Sequence, residues 1–296
     1  MSTTVTAENA LFARAQALLP NLRAGERTAV IFFVYLSVLA WMRHLGTVPR
    51  LALFIIPLAI CGLAAFESAH SSAVTRVIRD WLTMGLILVS YWSIGWFASP
   101  PLAAWQEEWL QWDRMVLDTW GLRAGIECAG MLIPSILEVL YMSLYALPCA
   151  CICAVYWVGG RDRVHAYLYT LMLGTLIAYA LLPLFPVHGP RVVYPALDLP
   201  NVIGLGRPWN VWVLDHMDIP TSVFPSGHVA VGFSAAFGLL RAIRPHRAIW
   251  GWAFAMAALV YVATIYCRYH FVADGMASIA IAGTAYLVSG WRTNDS

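Results

Sequence analysis

Lysine is absent from the 296 residues: all eighteen basic side chains are Arg, set against sixteen Asp and Glu. Charge of either sign is scarce, at 11% of residues, where a soluble domain carries roughly 25%. A formal net charge of +2 is too slight and too dispersed for a nucleic-acid footprint, so no nucleic-acid partner is expected. The six cysteines, Cys61, Cys128, Cys149, Cys151, Cys153 and Cys267, lie in or at the ends of apolar runs. None has the paired spacing of a zinc site or a disulfide scaffold, so they read as small buried hydrophobes. Repeats, low-complexity tracts and interdomain linkers are also missing, which points to a single membrane domain.

What is abundant is apolar surface: 60% of residues are hydrophobic and fourteen are Trp. Crossing a bilayer takes about 20 apolar residues as a helix. Eight runs approach that length, at Thr28 to His44, Leu51 to Phe66, Trp81 to Ala98, Met131 to Val158, Val164 to Pro186, Pro225 to Leu240, Ala248 to Cys267 and Phe271 to Trp291. The second and sixth are short enough to be tilted or re-entrant. The expected fold is therefore an all-α polytopic bundle of about eight transmembrane helices, with the bilayer as its constant partner. A polar leader, residues 1–27, precedes the first run, so a cleaved signal is not expected. Leu11, Phe12, Ala15, Leu18 and Leu19 would let the leader lie on the bilayer surface.

With a cytoplasmic amino terminus, Arg14, Arg23, Arg27, Arg76, Arg79, Arg161, Arg163, Arg241, Arg244, Arg247 and Arg292 fall inside and the remaining seven outside. This agrees with the positive-inside bias. The long loops then face the periplasm or exterior, and a bacterial inner membrane is the expected location. Between the third and fourth runs, Trp105, Trp109, Trp112, Val116 and Trp120 recur at helical spacing, with charges on the other faces. That pattern predicts a helix lying in the interface, as an aromatic belt or a lipid gate.

Three polar clusters interrupt the apolar chain on that outer side: His188-Gly189-Pro190-Arg191, Phe224-Pro225-Ser226-Gly227-His228, and Arg268 through Asp274. Pro225 suits a first helical turn, and Ser226, Gly227 and His228 would present unsatisfied backbone N–H groups to a phosphate. His270 and Asp274, four apart, share a helix face, so the carboxylate can hold one ring nitrogen while the other points into a site. A neutral imidazole held in this way is a nucleophile toward phosphorus. Arg191 and Arg268 would neutralise phosphoryl oxygens. Zinc is the other functional reading of a His/His/Asp set, weakened by the two Arg, and no cofactor is expected. Glu138, with Tyr141 and Tyr145 beyond it, either lines a polar cavity or forms an interhelical hydrogen-bonded pair. A lone interfacial His or Arg is more often an anchor, which is the plainer reading of His188, Arg207 and His216. Asp198 and Asp215 read as solvated loop charges.

Residues 225–228 resemble the central motif of the type 2 phosphatidic acid phosphatase and vanadium haloperoxidase superfamily, and His270 with Asp274 resembles the end of its third motif. The resemblance implies a phosphohistidine on His270, orientation by Asp274, leaving-group protonation by His228, and phosphate binding by Arg191. Where that pattern has a Lys seven residues before its first-motif Arg, this chain has Leu184; where it has an Arg six before its His, this chain has Thr264. The variant, with Asp113, Arg114, Glu138 and Tyr141 in the 109–148 stretch, is closer to the inositol phosphorylceramide synthase branch. The implied organisation is a leader (1–27), accessory helices (28–98) and a catalytic core (99–296).

The expected function is metal-independent cleavage of a lipid phosphoester or diphosphate, with transfer of a phospho-head group to a lipid or polyol hydroxyl or to water. Tyr194, Trp209, Trp212 and His216 offer surfaces for such an acceptor, or equally for interfacial anchoring, and His188 is a candidate lining residue. A non-catalytic protein that binds or transports anionic lipid is the alternative from another class.

Overall fold

In hydrocarbon each backbone N–H and C=O must be satisfied within its own segment, which leaves the helix as the form open to these apolar runs. The structure, a computed structural model, describes residues 21–100, 103–219 and 222–291, and its regular elements there are all helical. The leader residues Leu11 to Leu19, expected on the bilayer surface, lie outside the described residues. The first described group of helices is α1 (Ala24–Met42), α2 (Thr47–Ala69) and α3 (Ala73–Ile94). After it come α4 (Ala103–Arg114), α5 (Leu122–Glu127), α6 (Leu132–Ser143), α7 (Leu147–Ala154) and α8 (Val164–Leu181). The remaining elements are α9 (Pro190–Val193), α10 (Arg207–Met217), α11 (Gly227–Ala242), α12 (Arg247–Tyr266) and α13 (Val272–Trp291).

All eight apolar runs become helical. Among the described residues, five helices are long and apolar enough to cross a membrane unaided, or six if the pair α6 and α7 counts as one span. The second run is longer than its apolar stretch suggests, at 23 residues. The sixth, α11, has 16. The fourth run, expected as one continuous span, is bent by 65° between α6 and α7. Pro148 in the first turn of α7 has no N–H to extend the preceding helix, and Leu144 to Leu147 close tight three-residue turns instead.

At the centre stands α11, packed against α8, α12 and α13. Its Gly and Ala residues let backbones approach closely. A methyl group at Gly238 would come 2.8 Å from the Tyr167 ring, and one at Gly232 would come 3.3 Å from Ala257. Helix α1 packs on α8 and α2, and α3 on α8. At one end of the bundle these helices are joined by ion pairs: Arg79 to Glu26 and Glu67, and Asp80 to Arg23 and Arg161. At the other end Arg43 donates to the carbonyls of Phe97 and Pro183 and to Ser99.

Helix α4 is the one expected to lie in the interface. Gln106, Trp109, Leu110, Asp113 and Leu117 are buried, while Trp105, Trp112 and Trp120 stay exposed. Of the four Trp in the pattern, Trp109 is the one that turns inward, packing on Phe224 and Phe271 at 4.8 and 5.9 Å between ring centres. The helix is a wall of the region holding the three polar clusters.

Candidate active site

Helix α11 begins where the sequence suggests, with one shift of register. Ser226 is the N-cap, its hydroxyl accepting from the Val229 N–H at 3.3 Å, so Pro225 precedes the cap instead of occupying the first turn. Ser226 is fully buried, and its own N–H donates to the Asp274 carbonyl at 3.1 Å. Its hydroxyl is therefore committed to the helix and is withdrawn from the phosphate-binding role expected of it. Gly227 and His228, the first two residues of the helix, line a cavity of about 520 Å³.

His270 lies ahead of α13, so the pair it makes with Asp274 bridges a loop and a first turn instead of sharing one helical face. Nδ1 of His270 is 3.3 Å from Oδ2 of Asp274, which also accepts from the Phe271 N–H at 2.9 Å. Ser278 ties the two motifs together, its hydroxyl lying 2.8 and 2.9 Å from the Ser226 and Asp274 carbonyls. Burial pushes the His270 imidazole down from its ordinary value to about 4, against the opposing pull of Asp218. The ring is accordingly neutral near pH 7, as nucleophilic attack requires. The His228 and His270 rings sit 5.5 Å apart and both line the cavity. His228 stacks on Tyr141 at 4.8 Å, and its Nε2 is 3.5 Å from the Tyr145 hydroxyl. Tyr141 belongs to α6 and Tyr145 to the turn that follows it.

Arg191 lines the cavity and pairs with Asp215 at 2.7 Å and Asp218 at 3.3 Å. Asp215, expected to be merely solvated, is thus a cavity residue. Arg268 is placed differently from expectation. It is 1% exposed, does not line the cavity, and donates from Nη1 to Oδ2 of Asp113 at 2.5 Å. Its φ of 64° turns the chain so that its carbonyl accepts from the Arg191 N–H at 3.1 Å. Arg268 therefore braces the first and third clusters against each other from behind. Asp113 completes the brace by accepting from the Val272 N–H at 2.8 Å. Burial pushes the Asp113 carboxyl up to about 6, with Arg268 opposing.

Glu138 is buried but lies off the cavity, and takes the second of its two expected roles. It accepts from the Tyr269 hydroxyl at 2.8 Å and from the Asn210 side chain, and it faces Arg207 at 3.5 Å. Arg207 also covers the Tyr269 ring, so it is a packed partner and not a free anchor. Tyr141 and His188 do line the cavity. Tyr194 does not; it packs on the cluster around Trp109 and Val187. Trp209, Trp212 and His216 stack on one another at 5.2 and 4.7 Å, and both Trp are exposed, away from the cavity. The acceptor surface expected of these four is not assembled there. Among the described residues no three His, Cys, Asp or Glu side chains converge as a metal ion would need.

Two lining residues escape sequence reasoning. Asp218 follows α10 in a loop without periodicity, and accepts hydrogen bonds from Arg191 and Tyr91. Tyr91 comes from α3, in the part assigned to accessory helices; only its regular spacing with Trp81, Met84 and Leu88 along one helix stripe marked it.

The family profile described as the PAP2 superfamily matches residues 107–288. No curated protein and no solved structure matches the chain. The matched stretch is more than half of the sequence and contains the three polar clusters, together with most of α4, whose Asp113 braces them. The several apolar helices make the chain a multi-pass membrane protein, and on this match it belongs to the PAP2 superfamily, whose phosphatase-type chemistry acts on phosphate esters.

Proposed function

We propose that this chain cleaves a lipid phosphoester or diphosphate by double displacement through a phosphohistidine on His270. The observation that carries the reading is the facing pair of imidazoles, His228 and His270, at one cavity with Arg191 on its wall. Nε2 of His270 attacks phosphorus as the bond to the leaving oxygen breaks, and His228, in its protonated form, gives that oxygen its proton. Water then attacks the phosphohistidine, loses a proton to His228, and releases phosphate with His270 restored. Asp274, on Nδ1, fixes the tautomer and supports the cationic intermediate. Arg191 and the open amides of Gly227 and His228 at the start of α11 meet the charge on the phosphoryl oxygens. Residues 99–296 form the catalytic core in this reading, and the site faces the periplasm or exterior of a bacterial inner membrane. The chemistry uses no metal.

Transfer to a polyol or lipid hydroxyl, as in the inositol phosphorylceramide synthase branch, is the second reading. The size of the cavity favours it, since about 520 Å³ leaves room for an alcohol beside a phosphoryl group. The positions of Tyr194, Trp209 and Trp212 favour water instead, and hydrolysis is taken as the leading case.

Rapid quenching with a labelled lipid phosphate tests the mechanism. His270→Ala should form no acid-labile, base-stable phosphoenzyme and lose on the order of 10⁴-fold or more in turnover. His228→Ala should lose less with a leaving group that needs no proton. Wild-type turnover by His270→Ala would refute the mechanism. Label entering added inositol, glycerol or a sphingoid base, at the expense of free phosphate, would move the reading to transfer.

A further inference from the structure

The family match starts at residue 107 and leaves α1 to α3 unaccounted for. Yet α3 reaches the catalytic residues. Tyr91 lines the polar cavity and also a second cavity of about 340 Å³, and the two share Tyr91, Gly227 and His228. From that shared wall the second cavity runs between α3 and the bent α6–α7 pair, with Met84, Gly85 and Leu88 on one side and Leu144, Tyr145 and Pro148 on the other. Apart from the shared His228, no ionisable side chain other than Tyr and Cys lines it. Its volume falls within the ~300–1,000 Å³ of small-molecule sites.

We infer that this groove seats the hydrocarbon chain of the phosphate ester being cleaved, on the leaving-group side, and that α3 sets the chain length accepted. The inference rests on the double-displacement reading above. In that reading His228 protonates the leaving oxygen, so the carbon attached to that oxygen lies beside His228. His228 is the point where the polar cavity meets the apolar one, and a chain leaving phosphorus there passes directly into the groove. The ligand class is a phosphate monoester of a long alkyl alcohol, with that alcohol as the leaving group.

Gly85 offers a clean test, because it lines the groove and a methyl group there meets nothing within 4 Å. The full chain in detergent is assayed with water-soluble monoalkyl phosphates from ethyl to octyl. Wild-type kcat/KM should climb with chain length by up to about fourfold per methylene, the factor for burying one CH₂. Gly85→Phe should flatten that climb while keeping the ethyl phosphate rate within about twofold, and Gly85→Ala should keep the climb. An undiminished slope in Gly85→Phe overturns the inference. As a second measurement, octyl phosphate carrying a terminal diazirine is photolysed on the wild type, with the expected label in residues 84–88 or 144–149 and its loss in Gly85→Phe. Labelling confined to other segments overturns the groove even if ethyl phosphate is cleaved. Failure to cleave any alkyl phosphate overturns the catalytic reading, and the groove as a substrate site with it.

Discussion

Arg79 and Arg191 are each paired with two carboxylates, but at opposite ends of the bundle and in opposite surroundings. Arg79 is 2% exposed and holds Glu26 and Glu67 at 2.5 and 2.7 Å, with the Asn21 carbonyl as a further acceptor. Its partners belong to α1 and α2, so the pairs fasten three helices that the family match does not cover. Arg191 is 23% exposed, and its partners Asp215 and Asp218 are 53% and 27% exposed, all on the wall of the catalytic cavity. A closed buried pair cannot exchange partners without stranding a charge. A half-open one can give its guanidinium to an incoming phosphate while the carboxylates return to water. The same chemistry thus fixes a helix at one end and keeps a cation ready at the other.

If the two ends face opposite sides of a membrane, labelling should be all or none. A single cysteine at Asp198, near the catalytic end, should react with an impermeant maleimide added outside intact cells. One at Arg244, beyond the far end of α11, should react only after permeabilisation. Equal access to both from the cytoplasm would collapse the assignment of sides, which rests on the uneven distribution of Arg.

Removing each Arg separates the roles further. Arg191→Met should lower kcat/KM by about 10²- to 10³-fold, the usual scale for losing one donor to transition-state charge, with little change in thermal unfolding. Arg79→Met should do the reverse, costing about 3–5 kcal/mol of stability because Glu26 is left buried, and Glu67 half-buried, without their cation. Its folded fraction should turn over normally. A large catalytic loss in Arg79→Met, with unfolding unchanged, would erase the distinction.

The comparison also explains what could be read from the chain before its fold. The apolar runs, the start of α11 and the His270/Asp274 pair depend on neighbours a few residues apart, and local spacing carries that information. Arg268 misled because its partner, Asp113, lies 155 positions away. Nothing local distinguishes a guanidinium that faces phosphate from one that faces a buried carboxylate. Tyr91 and Asp218 were hidden for the same reason, since their hydrogen bond joins α3 to the loop after α10. The bend at residues 144–146 is a middle case. Pro148 was visible, but an apolar run long enough to span masked the break.

The smallest effect concerns protons. Burial holds His270 at about 4, below the ordinary 6.5. A folded value below the unfolded one means that the neutral ring contributes stability in full above about pH 6.5, and that this is lost as pH falls through about 4. The same shift governs reactivity. At pH 5 an ordinary imidazole is only about 3% neutral while one titrating at 4 is about 90% neutral, a ratio of roughly 30. Diethyl pyrocarbonate acylates the neutral ring alone, so its rate at His270, followed by peptide mapping, should stay nearly level from pH 7 to 5 and halve only near 4. A His270 profile falling with a midpoint at 6.5 would mean that the ring is open to water, and the buried neutral nucleophile would have to be abandoned.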